Sequence, residues 1–232
     1  MIDGLSSRNR ALAGQLRRVV LTLVLAATAA ACSALGVDMV VGSGNLAIES
    51  RDVTSIDTVV LRGSSDVDVT IGEPASLEVE ADDNIVPLVV TAVEEGILTI
   101  TTEGSFRSKK GVLVRLVTPA LSEVRVEGSG DVTGRGIDAR SFSAAVNGSG
   151  DIEIEGIADE VGASVRGSGD IDLSRLSARR AKASVSGSGD IELRVSEALD
   201  ARVTGSGDIS YRGDPADVSV DVSGSGDVER LD

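Results

Sequence analysis

One phrase dominates this chain. V-x-G-S-G-D followed by Val or Ile occurs six times, at Val126–Val132, Val146–Ile152, Val165–Ile171, Val185–Ile191, Val203–Ile209 and Val222–Val228. The first glycines of the six copies stand at 128, 148, 167, 187, 205 and 224, so successive intervals are 20, 19, 20, 18 and 19. A fixed period near 19 marks a chain that stacks one supersecondary unit on the next, and it outweighs local propensity.

Within each period the apolar residues alternate. Phe142, Ala144 and Val146 precede one turn, as Val161, Ala163 and Val165, then Leu199, Ala201 and Val203, then Val218, Val220 and Val222 precede others. Ile152 and Ile154, Ile171 and Leu173, and Ile191 and Leu193 follow the turns with the same spacing. Period two with β-branched residues describes strands with one buried face. Each turn carries two glycines, Gly128 and Gly130, Gly148 and Gly150, Gly167 and Gly169, Gly187 and Gly189, Gly205 and Gly207, Gly224 and Gly226, which permit positive φ. The aspartate that follows can accept hydrogen bonds from nearby backbone N–H groups. The expected fold is all-β: a single-domain parallel β-helix with rungs of about 19 residues stacked about 4.8 Å apart.

The N-terminal half carries a degraded version: VVGSGNL at Val40–Leu46, LRGSSDV at Leu61–Val67, VEADDNI at Val79–Ile85 and ITTEGSF at Ile100–Phe106. Taking 42, 63, 81 and 102 as turns gives about ten rungs, irregular over 42–127 and regular over 128–232, in a rod nearly 50 Å long. The longer step from 102 to 128 holds FRSKKG, Phe106–Gly111, which reads as an inserted loop. A mixed sheet is the alternative for this half. Aliphatic ladders of stacked Val and Ile contribute roughly 1.5–3 kcal/mol per buried side chain and need no aromatic residue. That accounts for a chain with only Phe106, Phe142 and Tyr211 as aromatics.

Composition removes several chemistries. The 232 residues include no His and no Trp and a single Cys. A His/Cys zinc site, a disulfide framework and every nucleophile–histidine pair are therefore excluded. With 22 basic and 37 acidic residues the net charge is −15. So acidic a chain, without stacking aromatics, is unsuited to nucleic acid or to an anionic membrane surface.

The segment 1–31 reads as an address. Arg8, Arg10, Arg17 and Arg18 precede Val19–Ala31, an uncharged run of thirteen, and small residues lead directly to Cys32. A run of thirteen is too short for a spanning helix and suits the apolar core of a signal peptide. The pattern resembles a bacterial lipoprotein signal, in which the cysteine is lipidated and becomes the new N-terminus; the alternative is an ordinary secretory signal with Cys32 incidental. The domain plan is then a signal over 1–31, a lipidated cysteine and short tether over 32–41, and the β-helix over 42–232. Removing 1–31 takes away four arginines and Asp3 and leaves 18 basic against 36 acidic side chains, so the anchor is hydrophobic rather than electrostatic. Ser33 after the cysteine favours, by the same resemblance, the outer membrane in a Gram-negative host.

A lipoprotein-type signal, a strand-rich N-terminal half containing RDVTSIDTVV from Arg51 and VEADDN from Val79, and serial GSGD turns together resemble the head GIN domain family of bacterial envelope proteins. The resemblance spans about residues 45–230. That family is described as an autotransporter-adhesin head, so the resemblance implies a β-helical envelope protein and, more weakly, adhesion; fold resemblance does not by itself carry function.

Three chemistries remain to be weighed. Asp131, Asp151, Asp170, Asp190, Asp208 and Asp227 would stack about 5 Å apart, repelling in water by only about 0.8 kcal/mol per pair. They read as turn caps, with a calcium ladder as the alternative, since hard oxygen ligands suit that ion; no other cofactor is implied. Paired carboxylates at that spacing suit a retaining glycosidase, but acid and nucleophile need unlike surroundings and identical rungs supply like ones. Arg166, Arg179, Arg180 and Lys182 form a basic outer patch that an acidic polysaccharide could meet. Glu127, Asn147, Arg166, Ser186, Thr204 and Ser223 form an outward polar ladder, a contact face for an unidentified envelope or surface ligand or simply a solvated surface. The expected protein is a non-enzymatic, lipid-anchored envelope rod with adhesin-like or structural function. Its alternatives are a periplasmic scaffold or stress-linked component and a polysaccharide-active enzyme. A monomer is expected, and end-to-end or edge pairing of protomers is the alternative.

Overall fold

Alternating apolar residues become strands along the whole described chain. The structure, a computed structural model, describes residues 39–232, which form one compact unit. In chain order the strands are β1 (Met39–Val41), β2 (Leu46–Arg51), β3 (Thr58–Gly63), β4 (Asp66–Ile71), β5 (Ser76–Asp82), β6 (Val89–Glu94), β7 (Ile97–Thr102), β8 (Ser105–Arg107), β9 (Leu113–Thr118) and β10 (Glu123–Gly128). Four long bent strands follow, β11 (Val132–Gly148), β12 (Ile152–Gly167), β13 (Ile171–Gly187) and β14 (Ile191–Gly205). The chain ends with β15 (Ile209–Arg212), β16 (Asp217–Gly224) and β17 (Val228–Arg230). Among the described residues a 3₁₀ turn, Val86–Leu88, is the one helical element, and no helix is long and apolar enough to cross a membrane.

The regular half is a parallel β-solenoid. Five closed coils run between successive GSGD corners, with β11 on β12, β12 on β13 and β13 on β14, all parallel. Register slips at Arg135/Ile137, Glu153/Gly156 and Leu173/Ser177 mark where each long strand bends, because an extra residue on one strand kinks it. The inward residues form columns. Val124, Ala144, Ala163, Ala183 and Ala201 make one, and Val126, Val146, Val165, Val185 and Val203 another, every member buried. A third, of Phe142, Val161, Ala181 and Leu199, is buried too and mixes large and small side chains, which interdigitate to the density of a packed interior.

The N-terminal half departs from a simple series of ten rungs. Gly63 stacks directly on Gly128, a distant position in the chain, so LRGSSDV is the coil below VEGSGDV. Beneath β3 lies β7, with Leu61 opposite Ile100, and beneath β4 lies β9. The corners near 102, 63 and 128 are therefore stacked in that spatial order, which is not their order in the chain. Positions 42 and 81 are not corners of coils. VEAD, the first part of VEADDN, belongs to β5, which runs antiparallel to β9, and VVGSGN leads into β2, which runs antiparallel to β5. On the other face β6 runs antiparallel to β7. This end is thus the mixed sheet weighed as the alternative: from β7 to β16 eight stacked strands run parallel, and beyond them antiparallel strands continue the stack. Part of the FRSKKG insertion is also strand, since β8 pairs with β1.

Candidate functional site: the stacked corners

Every residue of the GSGD corner is used by the stack. Gly167 shows why the first position is glycine: its φ is +134°, and a Cβ there would lie 2.1 Å from the carbonyl oxygen of Gly148 below. The second glycine is demanded by proximity alone, since a Cβ on Gly169 would lie 2.1 Å from the Gly150 oxygen. The serine N–H donates to the first glycine's carbonyl in the coil below, as Ser149 does to Gly128 at 2.8 Å and Ser188 to Gly167 at 2.8 Å. The aspartates link coils in both directions. Asp131 Oδ1 accepts the Asp151 N–H at 2.9 Å, Asp151 that of Asp170 at 2.8 Å, and Asp170 that of Asp190 at 2.7 Å. Asp190 accepts from Asp208 and Asp208 from Asp227, both at 2.7 Å, and Asp227 accepts from Val228 at 2.8 Å. In return the Asp170 carbonyl accepts the Ile152 N–H at 3.0 Å.

This geometry bears on the chemistry of the ladder. One oxygen of each aspartate is committed to a backbone N–H, so each carboxylate has much the same surroundings as the next. Among the described residues no three carboxylates converge to hold a metal ion. The aspartates border an acidic groove of about 420 Å³ lined by Asp170, Asp172, Asp190, Glu192, Asp208 and Glu229. One carboxyl stands apart: burial, together with Asp131 and Asp68, pushes Asp66 above its ordinary value despite the Asp131 N–H that it accepts.

The basic patch is engaged. Arg180 bonds Glu160 at 2.7 Å and Glu197 at 3.3 Å, Arg179 bonds Glu197 at 2.7 Å, and Lys182 lies 3.7 Å from Asp200. The hydrogen bond from Arg180 holds the Glu160 carboxyl below its ordinary value, and that from Arg179 does the same for Glu197. Beside them runs an open groove of about 620 Å³, lined by Glu160, Arg180, Lys182 and the apolar Val161, Ala181 and Leu199. Arg166 lies on a different face, stacked between Asn147 and Ser186 in the outward polar ladder, which also joins Glu127, Thr204 and Ser223 in register.

A cluster that the repeat did not reveal lies at the N-terminal end. Asp82, only 2% exposed, accepts the Gly44 N–H at 3.0 Å and the Ser108 hydroxyl at 2.7 Å, joining the GSGN turn, β5 and the FRSKKG insertion. Its signal in the sequence is the loss of glycine from VEADDN, which marks a different role for that segment. Around it, Met39, Val41, Leu46 and Ile48 are exposed by 47–67%, and Arg107, Lys109 and Lys110 are exposed beside them, with Lys110 Nζ bonded to the Gly44 carbonyl at 3.3 Å. Cys32 lies outside the described residues.

A family model described as "Putative auto-transporter adhesin, head GIN domain" matches residues 55–215. No curated protein matches the chain. Among solved structures, a "putative adhesin" from Bacteroides fragilis is similar at 24% identity with a TM-score of 0.70, covering 83% of this chain and all of that one. A "putative adhesin" from Parabacteroides merdae is similar at 19% identity and TM-score 0.57, covering 84% of this chain and all of that one. A "putative lipid binding protein" from Parabacteroides distasonis follows at 23% identity and TM-score 0.57, with 84% and all of the two chains covered. At these identities the likeness is one of fold. With its corners, its coils and the match over 55–215 in agreement, the chain belongs to the head GIN domain family.

Proposed function

We propose that this protein is an exported, lipid-anchored and non-enzymatic envelope rod whose polar side faces make adhesin-like contacts. The observation that carries this reading is the corner itself: the backbone of the GSGD motif, and one oxygen of each aspartate, serve the stack. What the repeat builds is a rigid column with regular faces, and family membership adds an adhesin-like role. The equivalence of the aspartates argues against an acid and a nucleophile among them, because those roles require pKa values pushed apart.

Two observations support the anchor. Cys32 closes a lipoprotein-type signal, and only six residues separate it from β1. The end of the solenoid where the chain enters carries exposed Met39, Val41, Leu46 and Ile48 with Arg107, Lys109 and Lys110, apolar and basic groups suited to a membrane interface on an otherwise acidic protein. The short tether also favours a second reading. Six residues reach at most about 20 Å, so the rod stays close to its membrane, as a periplasmic scaffold would.

Protease treatment of intact cells, wild type against Cys32→Ser, tests both. A membrane-bound protein shaved from outside supports surface contact. A membrane-bound protein protected until the envelope is broken supports the scaffold and removes adhesion. Unchanged fractionation of Cys32→Ser removes the lipid anchor.

A further inference from the structure

The three apolar columns that are sealed along the solenoid are cut open at its C-terminal end. Val218 continues the column of Phe142 and Leu199 but is 43% exposed; Val220 continues that of Val124 and Ala201 but is 50% exposed; Val222 continues that of Val126 and Val203 but is 40% exposed. All three lie on β16, which pairs with β14 on one side and, among the described residues, with no strand on the other. A parallel strand directs the N–H and C=O of alternate residues to each side, so this edge also presents a row of unpaired backbone groups.

The sequence of β16, DVSVDVSG, matches itself. In an antiparallel pair of two copies related by a two-fold axis, valines meet valines in the registers centred on Ser219, Val220 and Asp221, but these registers differ in charge. Centring on Ser219 sets Asp217 opposite Asp221, and centring on Asp221 sets that aspartate opposite itself; like charges directly opposite are destabilising. Centring on Val220 pairs Val220 with Val220 and Val218 with Val222, while Asp217 faces Ser223 and Asp221 faces Ser219. This register joins all three valines and opposes no two aspartates. Asp221 is further neutralised within its own chain by Arg202 at 3.1 Å.

We infer that two copies of this chain pair end to end through β16, antiparallel and centred on Val220, sealing both open cores. The association is isologous and closes at two, because a two-fold contact uses the same edge, β16, on both copies. It replaces the monomer expected from the sequence. Resting on the anchor proposed above, the dimer sets the two N-terminal ends at opposite ends of a doubled rod, which suits copies held in facing membranes and makes the adhesin-like partner a second copy of the chain.

The test uses the full chain carrying Cys32→Ser, so that failure of the anchor leaves it unaffected and no other cysteine is present. Light scattering should give a mass of two chains, with the dimer fraction rising with salt as the repulsion between two acidic rods is screened. In the same background, Val220→Cys should cross-link to a covalent dimer under mild oxidation, whereas Ser219→Cys, equally on the edge but opposite Asp221, should cross-link at least tenfold more slowly. A mass of one chain at high protein concentration and high salt overturns the pairing, as does a mass above two chains. A dimer in which Ser219→Cys cross-links as fast as Val220→Cys overturns the register.

Discussion

The two ends of this solenoid solve the same problem differently. A stack of coils must stop, and its last coil exposes both a strand edge and the inner face of its apolar columns. At the N-terminal end the chain turns back on itself. β5 and then β2 add antiparallel strands outside β9, burying Leu77, Val79 and Ala81, and β6 adds one outside β7, leaving Leu98 and Ile100 buried. Arg51 then reaches from β2 across this end to the Thr91 hydroxyl on β6 at 3.0 Å. At the C-terminal end the columns reach Val218, Val220 and Val222, which among the described residues have no such cover. A coil is covered where the repeat is broken, and where the repeat runs on unbroken it leaves a surface that pairs.

Substitutions separate the ends from the middle. The largest effect is expected at a mid-stack corner. Gly167→Ala forces a Cβ against the Gly148 carbonyl at a backbone angle L-residues rarely adopt, and should cost about 4 kcal/mol or more in chemical denaturation. Next, Leu199→Ala should cost about 2–5 kcal/mol by leaving a cavity. One coil further on in the same column, Val218→Ala should cost less than about 1 kcal/mol in the isolated chain, because Val218 is 43% exposed there. A similar loss for both would erase the distinction between middle and end.

The cap should be more sensitive than the ladder. Asp82→Ala removes the acceptor of both the Gly44 N–H and the Ser108 hydroxyl and empties a buried site, for a loss of about 2–4 kcal/mol. Asp190→Ala frees only the exposed Asp208 N–H, which water can reach, for about 1 kcal/mol or less. Equal losses in thermal or urea unfolding would show that the two fastenings are alike.

The smallest effect concerns Asp66. Its carboxyl is raised in the fold, so its contribution to stability is present at low pH and lost as the pH rises through the raised value. Asp66→Asn should therefore raise the melting temperature slightly at pH 7 and leave it unchanged at pH 3. A lower melting temperature at pH 7 would mean that the charge is stabilising.

The glycine spacing made the coils from 128 to 224 legible, because a Cβ cannot be placed where each corner lies against the one below. Alternation likewise identified the inward columns. What the repeat could not convey was spatial order. Gly63 meets Gly128 across a long loop of chain, and β7 lies beneath β3 although it follows it in sequence, since nothing local in LRGSSDV or ITTEGSF specifies which coil is its neighbour. The cap was hidden for a related reason: β5 alternates as a parallel strand would, and its direction is set by pairing rather than by composition. Asp82 stands at the serine position of a corner whose two glycine positions hold Ala81 and Asp83, and it is a buried fastening. Val220 reads the same as Val124, yet it is 50% exposed where Val124 is buried, since among the described residues no strand lies against the far side of β16.

Amide hydrogen exchange at two protein concentrations tests the unequal ends most directly. β2, β5 and β6 should be protected to the same degree at both concentrations, whereas protection of Asp217–Gly224 should rise with concentration. Equal, concentration-independent protection at both ends would contradict that difference.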